Sequence, residues 1–155
     1  MPDYAAILPA PFGAVGVRLS GNALAGLEFL PPDTALRPSG GEAVVRVEHE
    51  LAAYYANPRH LWKLTLAPAG TLFRQRVWQA LLAIPAGHTR TYGELALDLA
   101  SSPRAVGQAV GDNPIPIVIP CHRVLAAHGL GGFMHETYGF PMAVKRWLLH
   151  HEGFL

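Results

Sequence analysis

The chain has 155 residues, of which half are hydrophobic and 15% are charged, and its formal net charge is +1. This length and composition allow one domain or two small lobes with a real core, and they exclude an intrinsically disordered chain. The near-neutral charge excludes proteins that hold nucleic acid by a strongly basic surface, so any case for DNA binding must rest on local features.

Alternating apolar residues predict a small antiparallel sheet between Tyr4 and Leu30. An apolar stripe at helical spacing predicts a helix over Glu42–Ala56, and a shorter alternation predicts a strand over Leu61–Leu66. The connector Pro68–Gly70 is the best candidate for a boundary. We therefore predict an α/β fold whose N-terminal lobe, residues 1–69, is built on the small sheet.

The remaining part, residues 70–155, is predicted to be a mostly helical domain. Thr91 and Glu94 match a capping box at the start of a short helix over residues 92–100. After a tight turn, a proline at the first helical position opens a second helix over residues 103–110. Two short helices joined by a tight turn are typical of a helix-turn-helix.

The second of these helices has one long basic residue, Arg104, among alanines and glycines. Such a helix could press its backbone against a narrow groove of a duplex while Arg104 reaches into it. The alternative is that the small residues let two helices pack closely and that Arg104 is a solvated surface residue. From these residues alone the second interpretation is favoured.

Two further elements complete the domain. Val124–Leu125 is predicted to be a strand, and Met142–Glu152 is predicted to be the last helix. The apolar stripe of this helix leaves Lys145 and Arg146 pointing outward.

The only cysteine, Cys121, follows an apolar run and precedes His122 and Arg123. A thiol is nucleophilic as the thiolate, and cationic neighbours favour that form. His122 could act as its base if a carboxylate such as Glu152 orients the imidazole. Because adjacent residues on a strand face opposite ways, this relay needs a turn or a bridging water. The alternative is a structural, buried cysteine.

A single cysteine also excludes an internal disulfide and a cysteine-rich zinc site, and it is typical of a reducing compartment. The histidines are too scattered to predict a metal site. The N-terminus shows no signal peptide, and no apolar run approaches the ~18 residues of a membrane helix. We expect a cytoplasmic protein without a membrane partner.

Four ordered blocks resemble the O6-alkylguanine-DNA alkyltransferases, also called methylated-DNA–protein-cysteine methyltransferases. The blocks are Phe73–Ala96, Arg104–Gly107, Asn113–Pro114 with Pro120–Val124, and Lys145–Gly153. The resemblance covers residues 70–155 closely and the N-terminal lobe in outline. It implies an RNase H-like N-terminal lobe and a winged-helix-like helix-turn-helix in the C-terminal domain.

The resemblance also implies a reaction. Cys121 would take an alkyl group from O6 of guanine, irreversibly and once per molecule, after the nucleotide has been rotated out of the duplex. His122 with Glu152 would deprotonate the thiol through a water, and Asn113 would orient that network. Tyr92 matches the residue that protonates the leaving guanine and helps to rotate the nucleotide.

The partner implied is double-stranded DNA that contains O6-alkylguanine, bound by a monomer without a cofactor. The residues expected to contact DNA are Arg104, Ala105, Gly107, Gln108 and Arg123, with Ala109 also placed in the minor groove. The residues expected to line the substrate pocket are Pro116, Val124, Phe133 and Met134.

One segment departs from the family pattern. Residues 132–141 are longer than the usual short turn by about five residues. Phe133 best matches the family's tyrosine, and the serine that contacts O6 has no clear counterpart. Either the ring of Tyr138 or the backbone N–H of Met134 could replace these contacts, so the range of alkyl groups accepted stays open.

Three other functions remain as alternatives. A relative that only flags alkylated bases would lack the reactive cysteine, which Cys121 opposes. A helix-turn-helix regulator would prefer a duplex sequence rather than a lesion. A cysteine–histidine hydrolase would turn over many times on an ester or amide.

Overall fold

The computed structural model describes residues 3–155. The chain divides into two compact units, of which one ends at Ala69 and the other comprises Gly70–Leu155. Within the described residues, no helix has both the length and the apolar character that crossing a membrane requires.

The first unit is built on a three-stranded antiparallel sheet. The strands are β1 (Ala6–Ala10), β2 (Gly13–Ser20) and β3 (Ala23–Leu30), and β2 lies in the centre. The predicted strands are confirmed, and apolar side chains from all three, such as Leu8, Val15 and Leu27, are buried in the core of the unit. Gly21, at a φ of 60°, makes the tight turn between β2 and β3.

Helix α1 (Glu42–Ala56) has the predicted bounds and packs through Val44, Val47, Leu51 and Tyr54. The strand predicted over Leu61–Leu66 is wrong, because only a single bridge forms there, between Leu24 and Leu66. Elsewhere in this segment a backbone group pairs with a side chain and not with a neighbouring strand. The carboxylate of Glu50 accepts a hydrogen bond from the backbone N–H of Lys63.

The second unit is mostly helical, as predicted, with one short parallel pair of strands. In chain order it contains α2 (Leu72–Leu82), β4 (Arg90–Thr91), α3 (Tyr92–Asp98), α4 (Pro103–Gly111), a 3₁₀ turn (Cys121–Arg123), β5 (Val124–Leu125) and α5 (Gly139–His151). Strand β5 pairs with β4 in parallel.

Side-chain caps decide where the two short helices begin. The hydroxyl of Thr91 accepts the N–H of Glu94, and the carboxylate of Glu94 accepts the N–H of Thr91, so the predicted capping box is confirmed. Ser102 caps α4 by accepting the N–H of Ala105 at 3.1 Å. These caps set the turn between α3 and α4 within four residues, 99–102.

Helix α5 begins at Gly139 rather than at Met142, and Pro141 lies in its first turn, where a missing N–H breaks no helical bond. Arg146 is exposed as predicted. The prediction for Lys145 is wrong: its side chain is fully buried. The run Ile115–Ile119 is buried, which confirms the apolar approach to Cys121.

Candidate active site

Cys121 begins the 3₁₀ turn and is only 2% exposed. The turn bends the backbone directly after Pro120, so Cys121 and His122 do not alternate as they would on a strand. The structure thus supplies the turn that the proposed relay required.

Asn113 fixes the loop that delivers the cysteine. Its Oδ1 accepts the N–H of Ile115 at 3.0 Å, and its Nδ2 donates to the carbonyl of Ile119 at 2.8 Å. The side chain is buried, so both bonds lie in a low-dielectric interior where they hold geometry firmly. Ile117, inside this loop, has a φ of 74°, which is unusual for a β-branched residue and persists only where surrounding contacts enforce it.

His122 and Glu152 meet although 30 positions separate them in the chain. His122 Nε2 lies 2.8 Å from Glu152 Oε2, and the imidazole is fully buried. Because a carboxylate only accepts, Nε2 carries the proton of this hydrogen bond and Nδ1 of the neutral ring is an acceptor. Nδ1 has no hydrogen-bond partner among the described residues. An imidazole with one nitrogen held and the other available has the form of a general base.

Arg123 departs from its predicted role as a DNA contact. Its Nε and Nη2 each donate to Glu152 at 2.8 Å, and its Nη1 donates to the carbonyl of Ile84. With every guanidinium nitrogen bonded inside the protein, the charge fixes Glu152 and does not face a duplex. This is a correction to the sequence prediction.

The charges of this group follow from the same contacts. Burial alone would raise the pKa of Glu152, but hydrogen bonds from Arg123 and His122 outweigh it and hold that pKa far below its ordinary value. Burial lowers the pKa of His122, against the opposing pull of Glu152. Near neutral pH the group therefore contains a carboxylate and a neutral imidazole.

The thiol itself is neutral at rest. Burial raises the pKa of Cys121 to about 11, although a hydrogen bond from Asn113 and the charge of Lys145 act in the opposite direction. Its sulfur lies 4.0 Å from the sulfur of Met134. A thiolate can therefore form only if a neighbouring base takes the proton.

Tyr92 is the first residue of α3 and faces the same site. Its hydroxyl points to the carbonyl of Gly132 at a long 3.5 Å. Burial raises the pKa of Tyr92 to about 12, with a smaller contribution from the nearby Cys121. The phenol is therefore protonated, as a proton donor must be.

A cavity of about 210 Å³ lies over the thiol. It is lined by Tyr92, Gly107, Val110, Gly111, Cys121 and residues 132–137. Phe133 and Met134 line it as predicted. Tyr138 does not line it and is 76% exposed, so the Tyr138 alternative for the missing family contact has no support.

Two predicted pocket residues do not line this cavity. Pro116 is buried within the apolar loop 115–119 and is not among the residues that line the cavity. Val124 is fully buried, and its carbonyl accepts a hydrogen bond from Lys145 Nζ at 2.8 Å. Both positions are corrected because both residues are buried in the core, Pro116 in the apolar run and Val124 in β5.

Lys145 is the site residue that the sequence analysis missed. Its ammonium donates to the carbonyls of Val124, Leu130 and Gly132 at 2.7–2.8 Å. Burial lowers its pKa to about 8, against the effect of Cys121. Helical spacing could have indicated the burial of Lys145, because it lies three and four residues before Leu148 and Leu149 and so shares their buried face. The residue was missed because lysine is rarely buried in proteins.

Helix α4 presents a mixed surface. Arg104 and Gln108 are exposed one turn apart, and Ala105 and Gly107 are half-buried. Ala109 is buried, and its carbonyl accepts the indole N–H of Trp78, so its predicted place in a DNA groove is corrected. The remaining exposed strip combines one cation, one amide and small side chains.

A sequence model described as 6-O-methylguanine DNA methyltransferase, DNA binding domain, matches residues 72–154, which is more than half of the chain. The chain belongs to this family. The methylated-DNA–protein-cysteine methyltransferase of Methanosarcina acetivorans is 36% identical to it over 160 residues, covering 97% of this chain and 98% of the relative.

Other members of the 6-O-methylguanine DNA methyltransferase family are equally similar over most of their length. The Mycobacterium bovis methylated-DNA–protein-cysteine methyltransferase is 40% identical over 153 residues, which cover 94% of this chain and 89% of the relative. The crystal structure of Mycobacterium tuberculosis OGT in complex with DNA matches with a TM-score of 0.78 at 37% identity, over 94% of this chain and 90% of that one.

Proposed function

We propose that the chain repairs DNA by moving an alkyl group from O6 of guanine to Cys121, each molecule acting once. The observation that carries this proposal is a buried thiol next in the chain to a buried neutral imidazole whose Nε2 is held by Glu152. Membership of the 6-O-methylguanine DNA methyltransferase family supports the choice of substrate.

In this mechanism His122 is the base. Its Nδ1 accepts the thiol proton, through a bridging water, and the imidazolium that forms is stabilised by the carboxylate of Glu152. Arg123 and Asn113 are positioning residues: the first holds the carboxylate, and the second holds the loop that carries Cys121.

The transfer then exchanges one bond for another. The sulfur of Cys121 forms a bond to the alkyl carbon while the bond between that carbon and O6 breaks, and its electron pair passes into the guanine ring. Tyr92 donates a proton to the ring as this charge develops. His122, which has taken the proton of the thiol, then returns a proton to Tyr92. The products are a thioether and an unmodified guanine. Nothing in these steps restores the thiol, so one molecule acts once.

The DNA must be opened because the reacting carbon is out of reach of a buried thiol while the base is stacked. We infer that α3 and α4 form a helix-turn-helix and that the β4–β5 pair forms its wing. In the complex with DNA, α4 lies in the minor groove. Its small residues Ala105 and Gly107 permit close approach, Gln108 contacts the backbone, and Arg104 fills the space that the flipped base leaves.

The rest of the molecule is assigned by the same reasoning. Residues 70–155 contain every group of the mechanism, so we assign this unit as the DNA-binding and alkyl-transfer domain. The resemblance to the family implies that the N-terminal unit is an RNase H-like lobe. One thiol serves one lesion, so a monomer is sufficient. A free thiol needs a reducing compartment, which favours the cytoplasm.

The test uses duplex DNA with one O6-methylguanine labelled in its methyl group. Label should appear on the protein in a one-to-one ratio, and the intact mass should rise by one methyl group. A Cys121→Ser variant should bind the duplex but acquire no label. Label on that variant, or none on the parent chain, would refute the proposal. A parent chain that binds the lesion and leaves it unchanged would instead be a lesion-binding protein.

A further inference from the structure

Residues 132–137, here called the strap, line the cavity over Cys121. We propose that the strap determines which alkyl groups the protein accepts, with Met134 as the residue that limits their size and His135 as the residue that positions Met134. The proposal rests on the alkyl-transfer function above and adds the selection of its substrate.

The tip of the strap is a tight reversal without glycine. Phe133 and Glu136 exchange backbone hydrogen bonds of 2.7 and 3.0 Å across it. The two residues between them, Met134 and His135, have φ values of 52° and 66°. Residues other than glycine are uncommon in this left-handed region, and of the two only histidine is among the types enriched there. The backbone of Met134 therefore depends on outside contacts that hold the tip in place.

His135 supplies those contacts at the end of α4. Its Nε2 lies 2.7 Å from Oδ1 of Asp112, and Oδ2 of the same carboxylate accepts a hydrogen bond from Arg74 at 2.7 Å. The imidazole also lies so close to Gly111 that an added Cβ would come within 2.4 Å of the ring. The absence of a side chain at position 111 thus allows the strap to close onto α4.

Closing the strap brings Met134 to the thiol. The Met134 sulfur lies 4.0 Å from Sγ of Cys121, so its side chain occupies space beside the atom that must receive the alkyl group. A methyl group adds little volume there, whereas a benzyl group competes with Met134 for the same space. The closed strap therefore favours small groups, and bulky ones require Met134 to move.

The experiment compares two duplexes of one sequence, one with O6-methylguanine and one with O6-benzylguanine at the same position. The quantity measured is the ratio of the benzyl to the methyl transfer rate, taken from intact-protein masses over time. Because both rates come from one preparation, a loss of folded protein cancels in the ratio. Met134→Ala should raise the ratio by about tenfold or more, the effect of relieving a small steric conflict in an apolar pocket.

Variants of the anchor test the role of His135. His135→Ala and Gly111→Ala should each raise the ratio, the second because its methyl group displaces the imidazole. His135→Gln retains an N–H donor toward Asp112, so its ratio should equal that of the parent chain. Met134→Leu, which keeps the volume, and His128→Ala, an exposed histidine outside the strap, should leave it unchanged.

The outcomes separate this proposal from the function on which it rests. Methyl transfer with a ratio that Met134→Ala does not change would overturn the strap proposal and leave alkyl transfer intact. A raised ratio in Met134→Ala with none in His135→Ala or Gly111→Ala would overturn the anchoring role. Absence of methyl transfer by the parent chain would overturn the function itself.

Discussion

Individual residues in this site act through partners that are distant in the chain. Glu152 accepts from both His122 and Arg123, and this pairing determines which nitrogen of the imidazole is free. A buried carboxylate without these donors would be protonated rather than charged. The proton-accepting property of His122 is therefore produced by three residues together.

The pH dependence of transfer should report this arrangement. Burial lowers the pKa of His122, so its neutral, proton-accepting form persists to a pH below the ordinary imidazole value of about 6.5. We expect the rate of methyl transfer to stay constant as pH falls from 8 to about 6.5 and to decline only below that. Single-turnover rates on methylated duplex measure it, and an acid limb centred above the ordinary value would contradict the assignment.

Lys145 should contribute to stability through its three carbonyl acceptors. Lys145→Met leaves the carbonyls of Val124, Leu130 and Gly132 without this donor. The free energy of unfolding should fall by about 3 kcal/mol, roughly 1 kcal/mol for each buried acceptor. Urea denaturation measures the change. The adjacent and exposed Arg146→Met is the matched control, with an expected change within about 0.5 kcal/mol.

At the scale of elements, the pair α3 and α4 combines local and tertiary determinants. Their starts are set by side chains within three residues of the first turn, at Thr91 and Ser102. Their packing is set by buried residues such as Leu95 and Val106, which leave Arg104 and Gln108 outside. The composition of α4 is consistent with either helix packing or a DNA groove, and the structure shows that Ala109 serves the first use.

A substitution at Gly107 can distinguish helix packing from DNA binding as the role of the small residues of α4. An added Cβ would contact the ring of Tyr92 only at 3.9–4.0 Å, which is ordinary packing. Gly107→Ala should therefore raise the free energy of unfolding by up to about 1 kcal/mol, because alanine is the better helix former. The same methyl group should weaken duplex binding if α4 lies in the minor groove. Thermal denaturation and fluorescence anisotropy measure the two effects, and increased stability with unchanged affinity would contradict that placement.

At the scale of the whole molecule, charge limits how DNA can be held. The net charge is +1, and residues 70–155 carry seven Lys or Arg against five Asp or Glu. Two of the cations, Arg123 and Lys145, are buried in internal contacts. Few are left to neutralise phosphates, so we expect recognition under the proposed mechanism to depend on fit in the groove and on the flipped base.

Salt dependence should therefore be weak. A protein that contacts six or more phosphates shows a slope of log affinity against log salt of about −5 or steeper. We expect a shallower slope for this chain on both unmodified and lesion-containing duplexes, measured by anisotropy from low to physiological salt. A slope as steep as that of a basic DNA-binding protein would show that the phosphate backbone dominates binding.

Much of this protein is determined locally. Alternation and helical spacing predict β1 to β3 and the full extent of α1, and capping residues predict the starts of α3 and α4. The residues around Cys121 leave a reactive and a structural thiol both open, and only the resemblance of the four ordered blocks favours the reactive one. The predictions of strands, helices and caps succeed because strand alternation, helix periodicity and capping act between residues a few positions apart.

Tertiary structure alone decided the rest. Arg123 and Lys145 look like surface cations in the sequence, yet each is buried because carbonyls and a carboxylate from distant segments satisfy it. His135 likewise finds Asp112 across 23 positions, which places Met134 at the thiol. A buried charge is tolerated only where its partners are assembled, and that assembly depends on how all the helices pack rather than on any local pattern.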